Sequence, residues 1–193
     1  MITKLKVSFP GFPIITTSSA DIYIVDLKNI NGGGVVLYNA MSEYHGVYIS
    51  NPPTVPIVFM GFPDNIFVPI VGQGVKQCEC VLFPESCNYN DWVLFIETKY
   101  VDNIENAFRE ERGYPRAMIN QIIQTVQVFR DKGIIDKERR VWAIVSFPKL
   151  VEDFAAFFFT GQISIEDMLL NYKIVIKATN SATVTSPKRI RLN

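Results

Sequence analysis

The sequence predicts an α/β (α+β) fold with a central mixed β-sheet flanked by helices. Three observations carry that expectation. Asp91–Tyr100 (DWVLFIETKY) holds five consecutive apolar residues, Trp92 to Ile96, so this strand is covered on both faces. Asn103–Asp131 places Ile119, Ile122, Ile123, Val126 and Phe129 on one helical stripe. Arg140–Phe147 (RVWAIVSF) reads as a further buried strand. Strands, a helix, a strand, helices and a last strand, in that order, make a mixed sheet.

The elements follow along the chain. Asp21–Leu27 (DIYIVDL) alternates and is β-like. Asn31-Gly32-Gly33-Gly34 marks a turn or the start of a helix. Leu37, Ala40, Met41 and Tyr44 then share a helical face, which predicts a short helix over Val35–His45, ended by Pro52, Pro53 and Pro56. Pro56–Phe62 and Ile66–Val71 read as strands around Pro63-Asp64-Asn65. Val75–Phe83 is a strand, Pro84–Asn90 a polar loop and Asp91–Tyr100 the central strand. Asn103–Asp131 reads as one helix, with a break near Gly113-Tyr114-Pro115 as the alternative, and it ends at Lys132-Gly133. Val151–Phe159 and Ser164–Tyr172 read as helices, the second with Ser164 as N-cap and Asp167 three residues on. Lys173–Thr179 is a last strand, and Thr179–Thr185 reads as an exposed polar tail.

Composition narrows the class. A chain of 193 residues, 48% apolar and 20% charged, is one domain able to bury its own core. Disorder, a coiled coil and a collagen-like repeat are excluded. Lys plus Arg and Asp plus Glu number 19 each, so any positive field is local. The clusters Lys137, Arg139, Arg140 and Lys188, Arg189, Arg191 read as solvated surface charge. Three cysteines argue against a secreted disulfide framework. No apolar run approaches the ~18 residues of a membrane span. Lys4 and Lys6 precede an apolar stretch, and Ser18-Ser19-Ala20 resembles a cleavage site, but Pro10, Gly11 and Pro13 interrupt it. The expectation is a cytoplasmic protein without a signal peptide or a membrane partner.

Glu97 and Lys99 carry the chemistry. Two apart on a strand, they share a face. A carboxylate and an ammonium on a covered strand are costly unless paired or used. Glu79 lies in the otherwise apolar Cys78-Glu79-Cys80-Val81. If the loop at 84–90 closes an antiparallel hairpin, Glu79 comes to lie across from Glu97. Two converging carboxylates suit Mg²⁺ or Mn²⁺, because hard cations take oxygen ligands. A lysine beside them can orient water or offset phosphate charge, a trio suited to metal-assisted phosphodiester hydrolysis.

Glu79, followed by Glu97-Thr98-Lys99 in an apolar strand and then by a long helix with Gln121, resembles the PD-(D/E)xK nuclease superfamily over about residues 75–147. The resemblance implies a restriction-endonuclease-like fold, a divalent metal and hydrolysis of DNA or, less often, RNA. It implies that Glu79 and Glu97 are the metal ligands, with Glu79 as first acid and Glu97 and Lys99 as the E-x-K pair. It maps the helix glutamine onto Gln121, with Gln124 as rival, and a helix acid onto Glu43. The first acid is Glu rather than Asp, and Cys78 replaces the preceding proline. Those departures make a catalytically degenerate interaction module the alternative. A third reading is a structural protein whose Glu97–Lys99 pair is only an ion pair.

Other candidates are weaker. Asp91 would sit roughly 20 Å along the strand from Glu97. Cys78 and Cys80, taken to share a strand face, make with Cys87 and His45 a poor zinc spacing and read as buried thiols. His45 is the only histidine. Gly32-Gly33-Gly34 lacks the Lys-Ser/Thr of a phosphate loop. Phe154, Phe157, Phe158 and Phe159 fit core packing or a homodimer face better than base stacking.

Overall fold

The computed structural model describes residues 1–28, 32–41, 43–67, 74–159 and 164–193. The central sheet contains β1 (Ile15–Thr17), β5 (Ile57–Gly61), β6 (Cys80–Pro84), β7 (Leu94–Thr98), β8 (Val141–Ser146) and β9 (Ile174–Ala178), side by side in that order. From β1 to β7 each neighbour is antiparallel, whereas β7, β8 and β9 run parallel. The parallel strands are joined through helices, because a parallel return needs a crossover. Helices α2 (Ile104–Phe108) and α3 (Tyr114–Asp131) join β7 to β8, and α4 (Ala155–Phe158) and α5 (Ile165–Tyr172) join β8 to β9. Helix α1 (Ile2–Ser8) packs on the same face through Leu5, with Phe9 just beyond it.

The segment read as one helix is two, parted by a turn at Glu110–Arg112 and by Gly113, the alternative the sequence offered. Gly113 takes φ 54, a left-handed conformation that suits glycine, and Pro115 sits in the first turn of α3. Met118, Ile119, Ile122, Val126 and Phe129 form the buried stripe of α3. Phe129 meets Phe95 of β7 edge to face, with ring centroids 5.1 Å apart. In α5 the expected capping box forms: the Ser164 hydroxyl accepts the Asp167 N–H and the Asp167 carboxylate accepts the Ser164 N–H.

The other face of the central sheet is covered by a second sheet rather than by helices. Its order is β11 (Arg189–Leu192), β10 (Ser181–Ser186), β4 (Val47–Ser50), β2 (Asp21–Asp26), β3 (Val35–Tyr38). Ile22, Ile24, Val47, Ile49, Ala182 and Val184 pack against Phe59, Leu82, Trp92, Leu94 and Ile96. Every strand of β5–β8 is therefore covered on both sides, which explains the unbroken apolar run in β7.

Several sequence expectations are corrected here. Val35–His45 is not a helix: Val35 to Tyr38 form β3, paired with Asp26 to Tyr23, and Met41 is 86% exposed. A helical spacing over a few residues lost to cross-strand pairing of the β-branched Val35 and Val36. Thr179–Thr185 is not a tail. β10 lies parallel beside β4 and brings Ala182 and Val184 into the core. Arg189–Leu192 pairs with it as β11, with Ile190 inward. Ile66 and Phe67 belong to a turn, and the rest of the strand expected at Ile66–Val71 lies outside the described residues, as does Asn31 of the expected glycine turn. Arg139 is not solvated: it is 7% exposed, and its guanidinium donates to the carbonyls of Asn88 and Asp91 at 2.8 and 2.6 Å. Phe154 and Phe158 are core residues in ring contact with Phe147. No helix among the described residues is long and apolar enough to cross a membrane.

Candidate active site

The two glutamates lie at the same end of neighbouring strands, where β6 begins and β7 ends. The β6–β7 ladder pairs Cys80 with Ile96, and the Glu79 N–H donates to the carbonyl of that same Ile96 at 2.9 Å. Two residues of one strand thus face one residue of its neighbour, as at a β-bulge, a device that re-aims side chains. The slip separates the cysteines. Cys78 packs in the helix-side core and Cys80 between the sheets, so they do not share a face. Both are buried thiols, and Cys87 is free as well.

Helix α3 holds the approach to Glu79. Gln121 donates its amide to the Gln77 carbonyl at 2.7 Å, Gln124 accepts the Lys76 N–H at 2.6 Å, and Thr125 accepts the Cys78 N–H at 2.8 Å. Three side chains within about one helical turn satisfy three consecutive residues of an irregular segment. Gln121 and Gln124, the two rivals for one role, are both used.

Beyond Glu79 opens a cleft of about 420 Å³ whose walls include Asp26, Lys28, Asp64, Glu79, Lys99 and Gln121. Glu97 does not line it: it is fully buried, with Oε1 bonded to the ammonium of Lys99, which does, and Oε2 without a partner. Lys99 is the exposed member of that pair, its side chain 27% accessible. The expected face-sharing of Glu97 and Lys99 is thus observed.

Asp26 and Lys28 are residues that the sequence reading missed. They come from the second sheet, at the end of β2. Tyr100, just past β7, receives the Asp26 N–H on its hydroxyl at 3.1 Å and donates to the His45 carbonyl at 2.9 Å, which ties the two sheets together at this end. The Asp26 carboxylate accepts the Lys28 N–H at 2.9 Å. Lys28 Nζ then reaches Glu79 Oε2 at 2.7 Å and Asp64 Oδ1 at 3.0 Å. The signal was present: Asp26-Leu27-Lys28 repeats at the end of an apolar strand the acid-x-Lys spacing of Glu97-Thr98-Lys99.

The electrostatics follow from burial. Desolvation pushes the Glu97 carboxyl up to about 8; Lys99 opposes the shift and the neighbouring Glu79 adds to it. Glu79 is raised for the same reason, offset in part by Lys28. Burial works against both ammonium groups, but the carboxylates outweigh it, and Lys28 and Lys99 are held above their ordinary values.

Other candidates lie elsewhere. Glu43 is exposed and in no helix, so no helix acid comes from it. The His45 side chain is exposed. Asp91 sits in the turn at the far end of β7, its carboxylate accepting the Asn88 N–H at 2.7 Å.

The donor set at the site is two carboxylates with their lysine partners. Among the described residues no group of three or more His, Cys, Asp or Glu side chains is arranged to hold a metal. Two carboxylates are present, and Mg²⁺ commonly takes one or two, filling its octahedron with water and substrate phosphate. The orphaned Glu97 Oε2 is an oxygen a hard cation would satisfy. Oxygen donors without a nearby thiolate or imidazole fit Mg²⁺ or Mn²⁺ rather than zinc. Cys78 and Cys80 are protonated, their thiols pushed far up by burial. No protein-family model, curated protein or solved structure matches the chain, so the nuclease resemblance rests on these residues themselves.

Proposed function

We propose that this cleft is a divalent-cation-dependent phosphodiesterase site acting on nucleic acid, with DNA as the first substrate to test. The observation that supports it best is the Glu97 side chain: fully buried, paired through one oxygen to Lys99, which with Glu79 lines the cleft, and unpartnered at the other. Glu79 and Glu97 would hold Mg²⁺ or Mn²⁺. A cation held there would supply an activated water and offset charge on the phosphate. Lys99 orients the attacking water and donates to a phosphate oxygen as charge develops there. Gln121 holds the Gln77 carbonyl and so fixes the segment that carries Glu79; it is a positioning residue. The cleft wall sets three lysines, Lys28, Lys76 and Lys99, beside three acids, Asp26, Asp64 and Glu79, so its formal charge is balanced and a bound divalent cation would tip it toward a polyanion. Strand, loop, strand, helix and parallel strand follow one another over 75–147, the order on which the endonuclease reading relies. Buried free thiols fit a reducing compartment such as the cytoplasm.

The test is titration calorimetry with Mn²⁺ on the wild type and on Glu97→Gln, with nucleic-acid cleavage measured in parallel. Binding and cleavage by the wild type, both lost in Glu97→Gln, support the site. Absence of Mn²⁺ binding in the wild type sinks it. That result would favour the second reading, an interaction module on the same scaffold, for which one observation speaks: each glutamate already has a lysine counter-ion.

A further inference from the structure

We infer that Lys28 is a phosphate-binding side chain of the cleft, and that its ion pair with Glu79 couples phosphate capture to cation binding. The inference deepens the reading above and rests on it. In this structure Lys28 occupies Glu79 Oε2 at 2.7 Å. One of the two carboxylates a hard cation would use is therefore covered by an ammonium. A cation that took Glu79 Oε2 would have to displace Lys28 from it.

A phosphate changes the competition. Lys28 is 21% exposed and lines the cleft, so a phosphate oxygen can reach its ammonium without any backbone movement. The Asp26 carboxylate fixes the backbone N–H of Lys28, so the side chain swings from an anchored point. Its other tether, Asp64, is 73% exposed and holds little against a bound anion. Once Lys28 turns to phosphate, Glu79 is uncovered. Linkage then requires phosphate to raise cation affinity by the factor by which the cation raises phosphate affinity.

Lys99 does not act in this way. It is bonded to Glu97 Oε1, and the buried Oε2 has no hydrogen-bond partner, so a cation that reached Oε2 would leave this pair intact. The two lysines thus divide the work: Lys99 stays with its carboxylate, and Lys28 is exchanged. A site built so binds cation weakly alone and tightly with substrate.

The experiment is Mn²⁺ calorimetry on the wild type, Lys28→Ala and Lys28→Met, each with and without dimethyl phosphate, a phosphodiester that carries no base. Circular dichroism melts establish that the variants fold, and Lys28→Met keeps most of the stem if Lys28→Ala does not. The expected result is Mn²⁺ binding about tenfold or more tighter in the variants than in the wild type. Dimethyl phosphate should tighten Mn²⁺ binding in the wild type only. Equal or weaker Mn²⁺ affinity in the variants, or a phosphate effect that survives in them, overturns the coupling while leaving the cation site standing. Absence of Mn²⁺ binding in all three proteins removes the cation site and the coupling together.

Discussion

Lys99 donates to one oxygen of Glu97, and the other oxygen of that fully buried carboxylate meets no donor. A pair kept for stability alone gains nothing from that orphan, which costs roughly 1–3 kcal/mol. The arrangement is better suited to a ligand than to a scaffold. Lys99→Ala is therefore expected to lower Mg²⁺-dependent cleavage by about 10²–10³, the cost of removing one transition-state donor. The fold should survive, because Glu97 is already poised to take a proton when its partner goes. Cleavage assays on single- and double-stranded DNA and RNA, beside a thermal melt, read both parts. Wild-type rates in Lys99→Ala would remove Lys99 from the chemistry.

The same burial makes stability depend on pH. Glu97 is raised from 4.5 to about 8, so between those values the folded state binds more protons than the unfolded one. Stability in EDTA should then fall as pH rises through this window, with a limiting slope of about 1.4 kcal/mol per pH unit for one proton. Glu79, also raised, acts in the same direction. Lys28 and Lys99 are raised amines; their contribution is complete below about 10.5 and is lost only above it, so they leave the window unchanged. Urea denaturation of the wild type and Glu97→Gln at pH 5, 6, 7 and 8 checks the sign. A wild type that gains stability toward pH 8 would contradict it.

Much of this was legible in the sequence, and what was not has a physical cause. β7 and α3 were readable because covered strands and amphipathic helices write their burial into consecutive residues. Glu97 and Lys99 stood out because charge follows that apolar run. β10 was missed because its small Ala182 and Val184 alternate with Ser and Thr, and its partner β4 lies far away in sequence. Asp26 and Lys28 were missed for a related reason. Their role depends on which end of the second sheet meets β7, and Tyr100 settles that by a contact that no local pattern encodes.

Thr125 tests how α3 positions the site. Its hydroxyl accepts the buried Cys78 N–H at 2.8 Å, one residue before Glu79. Thr125→Val keeps the shape and removes the acceptor. A loss of about 1–3 kcal/mol is expected from the orphaned N–H, measured by urea denaturation. Mn²⁺ affinity should fall as well, because the segment carrying Glu79 loses one of its stitches. An unchanged denaturation midpoint would mean that Cys78 finds another acceptor.

Gly61 sets the spacing between the sheets. A Cβ there would stand 2.7 Å from the Val35 carbonyl oxygen and 3.3 Å from the Val35 Cβ. Backbone cannot step aside as a long side chain would, so β3 must move away from β5. Val35 pairs with Asp26, and the shift passes through that pair toward Lys28. Gly61→Ala should therefore cost about 1–3 kcal/mol, the usual range for overpacking. For a chain of this length that lowers Tm by roughly 3–10 °C. Gly34→Ala is the control: nothing lies within 4 Å of the Cβ it would add. Equal melting temperatures for the two variants would show that β3 is not pressed against β5. A selective loss in Gly61→Ala would show that one missing methyl lets the second sheet deliver Asp26 and Lys28 to a cleft whose glutamates belong to the first.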